Sequence, residues 1–136
     1  MKRCLEALLR LKGHEQGEII IVDNAPSDNR TQTLVANYPV QYICEKRPGL
    51  NWARSRAANE AVGEVILFND DDAAPTQEWL DQMCRPFVDN QVACVTGLVM
   101  PLEMETQAKR CSSPMVLLWV ILMDPEYCTL VLLVCL

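Results

Sequence analysis

The chain has 136 residues, 50% of them hydrophobic and 22% charged, and a formal net charge of -6. This length and composition predict one globular domain with a real core and exclude two domains of ordinary size. The acidic balance, without a cluster of lysine and arginine, argues against nucleic acid as a partner, because non-specific affinity there comes from cationic contacts to phosphates. A small anionic ligand stays compatible with the sequence if a divalent cation mediates the contact.

The first part of the chain alternates helical and strand patterns. Apolar residues at helical spacing predict an opening helix that Gly13 ends, followed by a strand over residues 18–22 that is buried on both faces. A loop of turn formers then leads into a short helix through Ala36, which Asp28 can cap. Residues 40–44 are the second predicted strand.

The third predicted strand stands directly before three consecutive aspartates. It covers residues 65–68 and follows a helix that Asn51 caps and Gly63 ends. Pro75 suits the first turn of the next helix. Residues 92–96 are the last convincing strand.

Strands that alternate with helices predict an α/β fold with a Rossmann-like, mostly parallel sheet. In such sheets, ligands bind beyond the carboxyl ends of the strands. Asp23 and the run from Asp70 to Asp72 each stand directly after an apolar strand. The sequence therefore predicts a binding site where these carboxylates meet.

The acidic run is a candidate metal site. In an extended chain, residues i and i+2 point to the same side, so Asp70 and Asp72 are expected to converge while Asp71 points away. Two such carboxylates repel each other unless a cation joins them, and Mg²⁺ or Mn²⁺ prefers oxygen ligands of this kind. The alternative is that the run caps the following helix. We favour the metal site, because three aspartates exceed what a cap requires.

Two further residues each carry two interpretations. Asp23 can accept hydrogen bonds from the base or ribose of a nucleotide, or it is a turn residue that serves its own loop. A second acidic strand end facing the same crevice gives weight to the nucleotide. Arg54 can meet a phosphate as a forked cation, or it is a solvated arginine that neutralises nearby carboxylates. Spacing alone does not decide the role of Arg54.

Three segments occur in an order that resembles a known family. They read EIIIVDNAPSDNRT, RPGLNWARSRAANEAVGEVILFNDDDAAP and WLDQM…FVDNQVACVTGLV, and together they look like the nucleotide-sugar-binding half of family 2 glycosyltransferases of the GT-A fold. The resemblance covers residues 1–110. It implies a nucleotide-diphosphate-sugar donor, an Mn²⁺ or Mg²⁺ ion, and inverting transfer of the sugar to the hydroxyl of an acceptor that the sequence does not identify.

The resemblance also implies roles for single residues. Asp23 would contact the base or ribose, Asp70 would lie near the ribose or the metal, and Asp72 would ligate the metal on the diphosphate. The nucleotide-binding set that we expect is Asp23, Asn24, Arg54, Asp70 and Asp71, and the metal ligands that we expect are Asp70 and Asp72.

Two departures from the family pattern lead us to expect an incomplete domain. The family's first strand normally precedes the opening helix, and it is missing before Met1. The acceptor half, with its general-base carboxylate, should follow the last convincing strand, where an apolar tail stands instead. An inverting transfer needs a base to take the acceptor proton, and we assign no residue to that role.

We therefore expect a nucleotide-sugar-binding region over residues 1–110 and an apolar tail over residues 111–136. The two apolar runs of the tail are each about ten residues, too short to span a membrane. A membrane-associated hairpin is conceivable but not favoured. The tail is also explained if the reading frame shifted just after Arg110, which translation of the other frames would test.

The remaining alternatives concern activity and location. The sequence ILFNDDDAA superficially fits a haloacid-dehalogenase-type phosphatase, but its mid-chain position and Pro75 do not, so we rank this function lower. A non-catalytic nucleotide-binding remnant is the other alternative. The seven cysteines, without a CxxC pair, and the lack of a secretory signal predict reduced, buried thiols in a cytoplasmic protein, with a peripheral position on the inner face of a membrane as the variant.

Overall fold

The computed structural model describes residues 1–98 and 100, together with the backbone of residues 118–122 and 130–135. Within this part of the chain, the strands are β1 (Gly17–Asn24), β2 (Gln41–Glu45), β3 (Val65–Asp70), β4 (Cys94–Gly97), β5 (Leu118–Leu122) and β6 (Leu130–Cys135). They form one sheet in the order β2-β1-β6-β3-β5-β4. The first four strands of that order are parallel, and β5 is antiparallel to both β3 and β4. The predicted Rossmann-like, mostly parallel sheet is confirmed.

Helices cover both faces of this sheet. The described helices are α1 (Lys2–Leu8), α2 (Arg30–Val35), α3 (Leu50–Glu60) and α4 (Trp79–Cys84), with short 3-10 turns at His14–Gln16 and Arg85–Val88. Residues of α1, α2 and α4 pack on one face, whereas Ala53 and Ala57 of α3 pack on the other. None of the helices in the described ranges is both long enough and apolar enough to cross a membrane.

The apolar runs of β1 and β3 are buried on both faces because successive strand residues point to opposite sides. Ile21 and Leu67 belong to the cluster under α1 and α4, while Ile20 and Ile66 belong to the cluster under α3. Small alanines on α3 let that helix approach the sheet closely. The core therefore sits on both sides of the two strands that carry the acidic ends.

Helix boundaries differ from the predictions, because contacts between distant segments set them. Gly13 has the expected left-handed φ of 85°, but α1 already ends at Leu8. Pro75 lies before α4, which begins at Trp79. The backbone N–H of Lys12 donates to the Gln77 carbonyl at 3.1 Å, so the loop before α4 is tied to the loop after α1.

Asn51 does not cap α3. The helix begins at Leu50, and its N-cap is Gly49, which has a φ of 123°. The Gly49 N–H donates to the side-chain oxygen of Asn24 at 2.7 Å. A contact from the end of β1 thus decides where α3 starts.

The prediction of buried thiols is only partly correct. Cys4 is buried, Cys84 is half-buried, and Cys44 and Cys94 are exposed. Cys44 and Cys94 are exposed because they lie on β2 and β4, the two outer strands of the sheet in the described part of the chain.

Two stretches of the apolar tail are strands of the sheet. β6 lies between β1 and β3, parallel to both, and β5 pairs with β3 and β4. Ile20 and Phe68 both pair with Leu133, so β6 joins residues 17–22 of β1 to the whole of β3. The division of the chain at residue 110 and the shifted reading frame stay predictions, because strand pairing does not report on the gene.

Candidate functional site

The acidic ends of β1 and β3 lie at the same edge of the sheet. Val22 and Asp70 both pair with Cys135 of β6, so Asp23 stands one residue beyond the level of Asp70. Since neighbouring strands are spaced by about 4.8 Å, the backbones of β1 and β3 are on the order of 10 Å apart there. The predicted meeting of two acidic strand ends at one carboxyl edge is what the register produces.

A cleft of about 450 Å³ opens beside the end of β1. This volume falls in the range of small-molecule sites in proteins. Asp23, Asn24 and Asp71 line it, whereas Arg54, Asp70 and Asp72 are not among its lining residues in the described chain. The remaining lining residues come from the N-terminus, the β1–α2 loop and α2: Met1, Ala25, Pro26, Ser27, Asp28, Arg30, Thr31 and Leu34.

Asp23 is a buried carboxylate with a defined partner. Its side chain is 5% exposed, and its Oδ2 accepts a hydrogen bond of 3.0 Å from the Tyr42 hydroxyl of β2. Burial, and then the neighbouring Asp23, raise the pKa of Tyr42 to about 12. The hydroxyl therefore stays protonated and donates at any physiological pH.

The Asn24 amide holds the loop between β2 and α3. Its Nδ2 donates to the Arg47 carbonyl at 2.7 Å and to the Glu45 carbonyl at 3.5 Å, and its Oδ1 accepts from the Gly49 N–H at 2.7 Å. The Asn24 amide therefore forms hydrogen bonds with backbone groups, a role that the sequence did not predict. Direct binding of a nucleotide by Asn24 stays a prediction.

The chain does not continue extended through the acidic run. β3 ends at Asp70, and the Ala73 N–H donates to the Asp70 carbonyl at 3.1 Å, which closes a turn with Asp71 and Asp72 at its corner. The prediction that Asp71 points away assumed an extended backbone, and that assumption is wrong. Asp71 lines the cleft with Asp23, and its Oδ2 lies 3.8 Å from the amino group of Met1.

Asn69 and Cys4 hold this turn through hydrogen bonds to the Asp70 carbonyl. The Asn69 amide donates to the Asp70 carbonyl at 2.9 Å and to the Cys4 sulfur at 3.3 Å, while the Cys4 thiol donates to the same carbonyl at 3.6 Å. Burial is the main cause that raises the pKa of Cys4 to about 11, so it stays a thiol. A residue of α1 therefore helps to set the direction of the acidic run.

The carboxylates of the acidic run are close enough to influence one another. Burial raises the pKa of Asp70 above its usual range, the negative charge of Asp72 and that of Asp71 add to this, and the positive charge of Arg54 opposes it. Like charges that perturb each other in this way favour a neutralising cation. This local field is the main electrostatic feature of the strand end.

Arg54 lies on α3, on the opposite face of the sheet from the cleft residues. Its guanidinium carbon is 5.6 Å from the centroid of the Phe68 ring, within the range of a cation–π contact. Its charge lowers the pKa of Asp70. Of the two interpretations, neutralisation of a nearby carboxylate is what the structure supports, and contact with a phosphate stays a prediction.

The donor set for a divalent metal is small. Among the residues that the structure describes, no group of three or more His, Cys, Asp or Glu side chains is arranged to hold a metal. After burial, the negative charge of Asp72 is the main cause that raises the pKa of Asp70, which singles out Asp70 and Asp72 as a pair. This pair fits a cation that takes its other ligands from water or phosphate, as Mg²⁺ commonly does.

Sequence reasoning missed Tyr42 and Arg30. Tyr42 would have emerged from aligning β1 with β2 at their carboxyl ends, which places it diagonally opposite Asp23. Arg30 lines the cleft, and its side chain is 88% exposed while its Nε donates to Asp28 at 2.7 Å. No local pattern marked this arginine, because its place in the cleft depends on how α2 returns toward β1.

Comparison with known proteins identifies the same family as the motifs. The sequence model of Glycosyl transferase family 2 matches residues 1–126. The chain is 26% identical to N-acetylgalactosaminyltransferase 7 of Drosophila melanogaster over 106 residues, which is 73% of this chain and 18% of that protein. It is 30% identical to Polypeptide N-acetylgalactosaminyltransferase 3 of Taeniopygia guttata over 95 residues, which is 65% of this chain and 15% of that protein.

The two matches cover most of this chain but only a small part of each relative. The chain spans less than a fifth of the length of either relative, at 18% and 15%. No solved structure matches it.

Proposed function

Because the chain belongs to Glycosyl transferase family 2, we propose that it forms the donor-binding region of a glycosyltransferase. The nucleotide-diphosphate sugar would lie along the carboxyl edge of the sheet. The observation that carries this proposal is the shared edge of β1 and β3, where Asp23 lines a cleft of about 450 Å³ and Asp70 stands across β6. A ligand with a base at one end and phosphates at the other suits two separated acidic groups.

Each group would act at a different part of the donor. Asp23 would accept a hydrogen bond from the base or ribose, since this buried residue lines the cleft. Asp70 and Asp72 would hold Mn²⁺ or Mg²⁺, because burial and the charge of Asp72 raise the pKa of Asp70 and a cation offsets both effects. When bound, such a metal stabilises negative charge on a departing diphosphate.

The cationic groups nearby would orient the phosphates. Arg54 already influences the ionisation of Asp70, so a phosphate bound beside the metal would lie within its field. Arg30 is exposed at the cleft and is paired only with the flexible side chain of Asp28 among the described residues. A forked guanidinium binds phosphate oxygens in two places, which fixes orientation as well as charge.

The identities of the sugar and the acceptor are the most specific parts of the proposal. Both relatives are named as N-acetylgalactosaminyltransferases, which supports N-acetylgalactosamine as the first sugar to test. The acceptor, the inverting stereochemistry and a cytoplasmic location stay predictions. An inverting transfer needs a base that takes the acceptor proton, and the side chains of the described residues include none that we assign to it.

Calorimetric titration tests the proposal directly. UDP and then GDP would be titrated into the folded chain with and without Mn²⁺, using wild type, Asp72→Ala and Asp81→Ala. Asp81 is exposed on α4 and away from the cleft, so its variant loses the same charge elsewhere. We expect binding that requires Mn²⁺, at least roughly tenfold weaker in Asp72→Ala, as for the loss of one charged ligand.

The controls separate the possible results. An Asp81→Ala variant that loses as much affinity as Asp72→Ala would reduce the effect to net charge. A folded wild-type chain that binds neither nucleotide at millimolar concentration with Mn²⁺ would refute donor binding. The chain would then be a non-functional relative of the family, because the alternative of a nucleotide-binding remnant also requires binding.

A further inference from the structure

The contact between Asp23 and Tyr42 is built by the register of two strands. Ile21 pairs with Tyr42 and Asp23 pairs with Cys44, so Tyr42 lies two residues back on the neighbouring strand and on the same face as Asp23. The Tyr42 ring packs against the core cluster under α1. Its hydroxyl reaches Asp23 Oδ2 at 3.0 Å. Packing of the ring thus fixes where the hydroxyl stands.

The two carboxylate oxygens of Asp23 differ in the hydrogen bonds that they accept. Oδ2 is occupied by the Tyr42 hydroxyl, which stays protonated because burial and the adjacent carboxylate raise its pKa to about 12. Oδ1 receives no hydrogen bond from any side chain or backbone group in the described ranges, although Asp23 is only 5% exposed and lines the cleft. A ligand in the cleft therefore meets a carboxylate of which only Oδ2 already accepts a hydrogen bond from the described residues.

We propose that Tyr42 is a positioning residue that engages one oxygen of Asp23, so that the site gives no advantage to a nucleobase edge with a second N–H donor. This inference rests on the proposed function, since it requires that a nucleotide occupies the cleft. An unrestrained carboxylate would accept two parallel hydrogen bonds from an edge with two donors. Because Oδ2 already accepts a hydrogen bond from Tyr42, the second donor of such an edge gains less from that oxygen.

The number of N–H donors on each base distinguishes the nucleotides that test this inference. The uracil imide and the hypoxanthine ring each offer one ring N–H, whereas guanine offers a ring N–H and an adjacent amino group. Guanine and hypoxanthine otherwise have the same purine shape. Comparing GDP with inosine diphosphate therefore isolates the second donor without changing the phosphates, the ribose or the ring system.

The experiment is a calorimetric titration of UDP, inosine diphosphate and GDP, each with Mn²⁺, into wild type and Tyr42→Phe. Tyr38→Phe is the matched control, because Tyr38 packs on the same cluster and its hydroxyl makes no hydrogen bond to a described residue. In wild type we expect GDP and inosine diphosphate to bind equally, within about twofold. In Tyr42→Phe the freed oxygen should make GDP roughly 3- to 10-fold tighter than inosine diphosphate, the value of one hydrogen bond.

The ratio of the two affinities distinguishes positioning from structural support. A loss of packing in Tyr42→Phe would weaken all three nucleotides together and leave the ratio unchanged, which would overturn the inference. The wild-type arm needs no variant to fold, since a wild-type chain that binds GDP 3- to 10-fold tighter than inosine diphosphate also overturns it. A wild-type chain that binds none of the three refutes the proposed function itself, which is a separate result.

Discussion

The Asn24 amide is the clearest single point at which the fold around the site can be loosened. It joins the end of β1 to the loop that starts α3, through Arg47 and Gly49. Asn24→Ala removes the donor and the acceptor while leaving the backbone of β1 intact. Because α3 carries Arg54, this change is expected to affect both stability and the position of a site residue.

The magnitude follows from the number and exposure of the bonds. Two contacts of 2.7 Å are lost, and the third, of 3.5 Å, is at the limit of a hydrogen bond. Each good bond contributes about 0.5 to 1.5 kcal/mol net, and water can replace the lost partners because both short contacts are at the surface. We expect a loss of about 1 to 2 kcal/mol in unfolding free energy, or roughly 3 to 8 °C in Tm.

Denaturant unfolding and amide hydrogen exchange together measure this effect. Asn37→Ala is the control, since the Asn37 amide is also exposed and donates to carbonyls of α2 at 3.2 and 3.3 Å without joining distant segments. In Asn24→Ala the Gly49 amide should exchange faster, and affinity for a nucleotide should fall with it. Equal losses in both variants, or an unchanged Gly49 exchange rate, would refute the view that this amide fixes the loop.

Three further changes test the core and the charges. Leu67→Ala empties a fully buried position on β3 and should cost about 3 to 5 kcal/mol of unfolding free energy in urea titrations; a cost below about 1 kcal/mol would mean that this strand is not central. The Arg47 guanidinium holds the pKa of Glu45 at about 2, below its usual 4.5, so the stabilisation is complete above that usual value and is lost as pH falls toward 2. Melting curves of wild type and Glu45→Gln should therefore converge on acidification, and parallel curves would contradict the ion pair. Asp70→Asn should raise Tm and weaken Mn²⁺-dependent nucleotide binding, because burial and Asp72 disfavour the Asp70 charge; a lower Tm would show that the charge is compensated.

Several features of the chain could be predicted from its sequence because they depend on local patterns. The continuous apolar runs before Asp23 and Asp70 predict strands buried on both faces, and both strands are present as β1 and β3. The alternation of strands with helices predicts a parallel sheet, whose carboxyl edge collects the residues after each strand. The place of the site follows from this topology without any knowledge of side-chain contacts.

The apolar tail contains strands that the periodicity of its residues does not predict. Its residues have neither helical nor alternating periodicity, and two stretches nevertheless form β5 and β6. A strand between two parallel neighbours is covered on both faces, so it needs only a continuous apolar run, which by itself does not distinguish a strand from other buried segments. The neighbours of β6, rather than its own sequence, decide its place.

The detailed geometry of the site was decided by the tertiary structure alone. Three consecutive aspartates stand at the end of β3, but their direction depends on a turn whose Asp70 carbonyl is held by Asn69 and by Cys4 of α1. The acceptor that Asp23 offers depends on Tyr42, which only the register of β1 and β2 brings within 3.0 Å. Local propensity determines which residues end a strand, because it acts over a few neighbours. Which way those residues face depends on contacts between segments far apart in the chain, and such contacts exist only once the sheet has formed.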